Sequence, residues 1–106
     1  MDDCIDQVVQ EGTGKEAISG AEVTLSYVGR LGSADGTEFD SGKRFVFKLG
    51  AGEVIDGWDR GVVGMRVGEQ RNLIVPPKLG YGPEGNPPLI PKNATLFFEL
   101  ELKSAY

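Results

Sequence analysis

All six prolines of this chain fall between positions 76 and 91: Pro76, Pro77, Pro83, Pro87, Pro88 and Pro91. Proline has no amide hydrogen to give a strand ladder and it breaks a helix, so this stretch can be neither a central strand nor a helix. Gly80, Gly82 and Gly85 add the backbone freedom of turns. The stretch therefore reads as one long loop, and a loop of that length in a small domain points to function. Regular structure has to lie on either side of it.

On both sides the apolar residues recur with a period of two, the mark of strands with one buried face. Leu96, Phe98, Leu100 and Leu102 alternate with Phe97, Glu99, Glu101 and Lys103, which gives a core face and a mostly wet face. Val23, Leu25 and Tyr27 alternate with Thr24 and Ser26, and Phe45, Phe47 and Leu49 with Val46 and Lys48. Residues Gln70 to Val75 form a further strand that stops at the first proline, and Ile5 to Val9 a weaker one. Gly12-Thr13-Gly14 and Ala34-Asp35-Gly36-Thr37 supply turns.

One segment suits a helix, from about Asp56 to Gly64. Asp56 can cap it, and Trp58, Val62 and Met65 share a face at spacings of four and three. Gly57, Gly61 and Gly64 each cost ~1 kcal/mol relative to alanine, so the helix must be short and held by packing. The expected class is α+β. One antiparallel sheet of about five strands carries a short helix on its apolar face, in a single domain over residues 1–106.

Composition removes several chemistries. The chain has no histidine and one cysteine, so it lacks an imidazole base, a Ser-His or Cys-His pair, and the ligands of a zinc or iron–sulfur site. No metal or cofactor is expected, and Asp2, Asp3 and Asp6 read as a solvated end. The net charge of −5 argues against a nucleic-acid partner, which would call for clustered cations. No run approaches the ~20 apolar residues that span a bilayer. Met1-Asp2-Asp3-Cys4 lacks the basic start of a signal peptide, so the expected place is the cytoplasm, with the nucleus open to so small a chain. Cys4 has no partner for an internal disulfide, and Asn93-Ala94-Thr95 is then an idle glycosylation pattern. Gly12-Thr13-Gly14-Lys15 lacks the upstream glycine and the hydroxyl residue of a phosphate loop. Gly50-Ala51-Gly52 lacks the third glycine of a dinucleotide fingerprint.

Five strings, in order, are more specific. Tyr27-x-Gly29, Phe39-Asp40-Ser41, Val54-Ile55-Asp56-Gly57-Trp58 with Gly61-Val62 and Gly64-Met65-x-Val67-Gly68, Tyr81-Gly82, and Ile90-Pro91-x-x-Ala94-Thr95-Leu96-x-Phe98 together resemble the FKBP-type peptidyl-prolyl cis/trans isomerases. The resemblance runs from about Ile5 to Lys103. It implies a curved antiparallel sheet wrapped around one short helix, with a pocket between them. Trp58 would be the pocket floor, Tyr27, Phe45 and Phe98 its walls, and Phe39, Val54, Ile55 and Ile90 its rim. Asp40 and Tyr81 would be its polar groups, and Asn86 and Leu89 complete the implied binding set. Tyr27, Asp40, Tyr81 and Phe98 would be the catalytic members.

The chain departs from the family pattern at the rim. Only Ser41-Gly42-Lys43-Arg44 separates Asp40 from Phe45, so a bulged edge strand is expected to be trimmed. The turn Gly32 to Thr37 is slightly long. Asn86 stands where histidine is common, and Pro88 where glycine is common.

The implied chemistry suits a chain without histidine. Rotation about an X–Pro bond breaks no covalent bond, and its barrier of ~18–20 kcal/mol is lost resonance. The twisted amide is less polar than the planar one, so an apolar pocket that strips water from it favours the transition state. The implied ligands are X-Pro peptides and proteins and the macrolides tacrolimus and rapamycin, bound by a monomer. The Ile55 backbone N–H and the Tyr81 hydroxyl would donate to substrate carbonyls. Asp40 would orient Tyr27 or act on the twisted amide. Two other readings stand beside this one: a non-catalytic module on the same scaffold binding proline-containing peptides or partner proteins, and a β-domain whose inward aromatics simply close a core.

Overall fold

The period-two runs become five strands of one antiparallel sheet: β1 (Ile5–Gln10), β2 (Glu22–Leu31), β3 (Glu38–Lys48), β4 (Gln70–Val75) and β5 (Leu96–Ala105). Their spatial order is β1-β4-β5-β2-β3. The computed structural model describes residues 4–106, so Asp2 and Asp3 lie outside the described residues. Among the described residues one α-helix, α1 (Asp56–Gly61), packs on the sheet. The proline-rich stretch opens on a short 3-10 turn, Pro77–Leu79, and otherwise runs as loop.

The core lies between α1 and the inner sheet face. Val23, Leu25, Leu73, Val75 and Leu102 are fully buried there, with Phe47 and Leu100 nearly so. Phe97 corrects the expected alternation: it belongs to the outward set of β5, yet it is only 5% exposed. Its cross-strand neighbours are Arg30 and Ile74. The outer face is thus not uniformly wet.

The helix is shorter than its apolar spacing suggests, and its cap differs. Ile55, in extended conformation, is the N-cap and makes no side-chain capping bond; Asp56 is already helical. The helix stops at Gly61, and Gly64 lies beyond the end with φ +90°. Two of its glycines have a packing reason. A β-carbon on Gly57 would lie 2.6 Å from Val75 Cγ1, and one on Gly61 2.6 Å from Leu73 Cδ1. Alanine would gain ~1 kcal/mol of helix propensity but incur ~1–3 kcal/mol of overpacking against buried side chains. The close approach wins, and weak propensity is its cost.

Bulges in the edge strand β3 decide which residues face α1. Phe45 pairs with Leu25 and Gly42 with Tyr27, so Lys43 and Arg44 together oppose Ser26. A second irregularity leaves Phe39 between Asp40, opposite Gly29, and Glu38, opposite Arg30. Asp40 and Phe45 are five positions apart, and strict alternation would send them to opposite faces. The extra residue shifts the phase by one and returns both to the same side. The bulge is therefore kept in the short Asp40–Phe45 segment.

Candidate active site

Between α1 and the sheet lies a cavity of about 200 Å3, lined by Tyr27, Phe39, Asp40, Phe45, Glu53, Val54, Ile55, Trp58, Tyr81 and Phe98. Trp58 sits at its centre because α1 holds it against β2 and β5. Its ring centroid is 4.9 Å from that of Tyr27, 5.3 Å from Phe98 and 5.7 Å from Phe45, all edge-on. Phe39 meets Phe98 edge-on at 5.7 Å. Such edge-to-face packing fixes ring orientation and makes a rigid apolar wall. Among the described residues the buried Trp58 indole N–H has no hydrogen-bond partner, so packing holds the ring.

The polar groups lie together on one side. The Tyr27 hydroxyl donates to Asp40 Oδ2 at 2.8 Å, and the Ser41 N–H donates to Asp40 Oδ1 at 2.9 Å. Burial, then the Asp40 carboxylate that accepts its proton, pushes the Tyr27 phenol up to about 12. Burial and the charge of Asp40 also raise Tyr81 above its ordinary value. Both phenols are hydrogen-bond donors throughout the neutral range. At the head of α1 the Ile55 carbonyl accepts from the Trp58 and Asp59 N–H groups. Among the described residues the Ile55 N–H donates to nothing.

The structure gathers nine of the residues named from the resemblance into this lining. It does not gather three others. Asn86 and Ile90 exchange both backbone hydrogen bonds, at 2.8 and 3.0 Å. This tight pairing turns Ile90 into the core at 3% exposure and leaves Leu89 in solvent at 61%. None of Asn86, Leu89 and Ile90 is in the cavity lining.

Glu53 lines the cavity and was not singled out by its sequence; its place next to Val54 was the available sign. Its carboxylate accepts the Lys48 N–H at 2.9 Å. Asp59 was also missed. Its two oxygens accept the Gly50 and Gly52 N–H groups at 2.8 and 3.0 Å, and so brace the loop that delivers Glu53, Val54 and Ile55.

The arrangement has walls for an apolar ring, donors for carbonyl oxygens and no nucleophile. Comparison with known proteins agrees. Residues 14–103 match the family model for FKBP-type peptidyl-prolyl cis-trans isomerases. The chain is 52% identical over 105 residues to the 39 kDa FK506-binding nuclear protein of Drosophila melanogaster, covering 96% of this chain and 29% of that one. It is 44% identical over 110 residues to an FK506-binding protein of Neisseria meningitidis, covering 100% and 99%. Over 82 residues it is 55% identical to human peptidyl-prolyl cis-trans isomerase FKBP2, covering 74% and 56%. The chain thus spans less than a third of the fly protein, little more than half of the human one and nearly all of the bacterial one. The chain belongs to the FKBP-type peptidyl-prolyl cis-trans isomerases, a family of enzymes.

Proposed function

We propose that residues 1–106 act as one isomerase domain that rotates X–Pro bonds of protein substrates inside the Trp58 cavity, by desolvation and without proton transfer. The observation that carries this reading is the Tyr27–Asp40 pair at one side of a cavity walled mostly by aromatic and aliphatic side chains. The pyrrolidine ring packs on Trp58 between Tyr27, Phe45 and Phe98. The Ile55 N–H and the Tyr81 hydroxyl hold the flanking carbonyls. Asp40, fixed by Tyr27 and the Ser41 amide, presents its charge to the amide as it twists and loses its own charge separation. Removal from water then lowers the barrier, since the twisted state has less solvation to lose.

The same pocket is proposed to take tacrolimus and rapamycin, as FK506 in the names of two relatives supports. The domain works as a monomer in the cytoplasm or nucleus, the latter supported by the relative named as nuclear.

A protease-coupled prolyl-peptide assay, with and without rapamycin, tests this reading. Asp40→Leu should lower kcat/KM severalfold with an unchanged circular dichroism spectrum, since its carboxylate is exposed and outside the core. Tyr81→Phe should weaken ligand binding by ~0.5–1.5 kcal/mol, the net worth of one hydrogen bond. Turnover near background in the wild type would leave only a binding module. Unchanged turnover in Asp40→Leu would remove the assigned role of that carboxylate.

The pH profile follows from the same groups. With no histidine, and with both phenols raised, kcat/KM should be flat between pH 6 and 8. The Tyr27 shift also has a sign for stability. A raised phenol favours the folded state fully below its unfolded value of 10.0, and that contribution is lost as pH rises toward about 12. A bell-shaped rate profile centred near neutrality would contradict the mechanism.

A further inference from the structure

The opposite face of the same sheet carries a second groove, lined by Thr24, Ser26, Lys43, Arg44, Val46, Lys103 and Ser104. Its three charged side chains are all cationic, in a chain of net charge −5. Two separate bulges bring them there. On one side of β2, Lys43 and Arg44 are the pair that opposes Ser26. On the other, Thr24 pairs with Ser104 and Leu25 with Leu102, so Lys103 is the extra residue of β5. Bulges re-aim side chains out of the regular alternation, and these two flank one short stretch of β2, Thr24 to Ser26. Between the cations lie the hydroxyls of Thr24, Ser26 and Ser104. Among the described residues those hydroxyls make no hydrogen bond, and Lys43 and Arg44 have no ion-pair partner. Among the described residues Lys103 meets only Glu101, whose side chain is 34% exposed, at 3.2 Å.

The groove and the pocket are joined through the chain. Ser26 and Tyr27 are consecutive, as are Arg44 and Phe45, and in each pair the first residue lines the groove and the second the pocket. Both belong to the edge strand β3 or its neighbour, so a polypeptide leaving the pocket can round one free edge to reach the groove. A sheet layer is about 10 Å thick and an extended chain covers about 3.3 Å per residue, so about five residues suffice.

We propose that this groove is a second contact site for the pocket's own substrates, taking an acidic segment of the polypeptide whose proline occupies the pocket. The inference rests on the isomerase reading of the pocket. The cations would select carboxylate-bearing chains and speed their encounter, and the hydroxyls would donate to the carboxylate oxygens.

The test compares two peptides in the isomerase assay, each with Leu-Pro followed after about five residues by a short run of glutamates or of glutamines. At low salt the glutamate peptide should show about fivefold higher kcat/KM in the wild type. That advantage should vanish at about 1 M salt and in the triple variant Lys43→Gln/Arg44→Gln/Lys103→Gln, whose rate on the glutamine peptide stays as in the wild type. Equal rates for the two peptides in the wild type, or an advantage that survives the triple variant, would overturn the proposal. A glutamate peptide without proline separates this from the pocket reading. It should shift the amide resonances of Thr24, Ser26, Lys43, Arg44, Lys103 and Ser104 even if turnover proves absent, and no shift would count against the groove alone. A DNA duplex that shifts the same amides at lower concentration would also overturn it, assigning the groove to nucleic acid.

Discussion

Trp58→Ala should unfold at markedly lower urea and lose isomerase activity at least tenfold, a change in barrier of ~1.4 kcal/mol. Trp58 is 5% exposed and its ring meets those of Tyr27, Phe45, Phe47 and Phe98. Emptying that position costs ~3–5 kcal/mol, against a total stability of ~5–15 kcal/mol for a domain of this kind. Because the indole N–H has no partner, no hydrogen bond is lost. Trp58→Phe should therefore retain most of the stability and report the activity of a folded protein. As the chain has a single tryptophan, wild-type fluorescence reads this position directly, and rapamycin should change it. Urea titrations of the three proteins followed by circular dichroism measure the stability. A loss below ~1 kcal/mol for the alanine variant would show that the floor of the cavity collapses freely around the gap.

Arg71→Met should destabilise the fold by ~3 kcal/mol, although Arg71 does not line the cavity. Its parity on β4 is that of Leu73 and Val75, so it points inward, at the level where α1 ends. There its Nε donates to Glu69 Oε2 at 2.7 Å and its guanidinium donates to the Gly61 carbonyl at 3.0 Å. The side chains of Arg71 and Glu69 are 12% and 6% exposed. Removing the arginine leaves a buried carboxylate whose remaining partner is the Arg66 N–H at 3.2 Å, and breaking one side of a buried pair costs ~3–5 kcal/mol. The contact to Asp6, at 3.6 Å and half in solvent, adds little. Replacing both partners, Glu69→Met with Arg71→Met, should recover part of the loss, since an apolar pair leaves no stranded charge. A double-mutant cycle by urea titration decides: additive losses in the double variant would mean the two residues are not coupled.

How much of this was legible before any coordinates depended on which residues obeyed a period. The inward sets of β2 and of β5 as far as Leu102 follow simple alternation, and Leu25 and Leu102 were readable as core from spacing alone. Tyr27, Phe45, Trp58 and Phe98 were readable as inward-facing, but only the family resemblance separated a cavity wall from a closed core, because both ask for inward aromatics. Asp40 could not be placed by alternation, because the Lys43–Arg44 bulge resets the phase between it and Phe45. Phe97 failed for a related reason: alternation assigns a face, not whether that face is covered. Asn86, Leu89 and Ile90 lie in a proline-rich loop with no period at all, so their orientation is set by the backbone pairing of Asn86 with Ile90. Asp59 and Arg71 act through backbone groups seven to ten residues away, and Glu69 is buried through its bond to Arg71; charged residues in such places look like ordinary surface until the chain is folded.

The bulge at Lys43 and Arg44 also makes β3 tolerant of a change in its own length. With the extra residue, five positions separate Asp40 from Phe45 and both face α1. With one of the two basic residues deleted, four positions would separate them, and an unbroken pleat would again put both on that side. The carboxylate and the ring are thus insulated from the count of residues between them, whereas one deletion anywhere in the regular part of the strand would invert every side chain beyond it. This strand therefore has a place where it can shorten without retuning the chemistry, and what such a change alters is the charge displayed on the far side of the sheet.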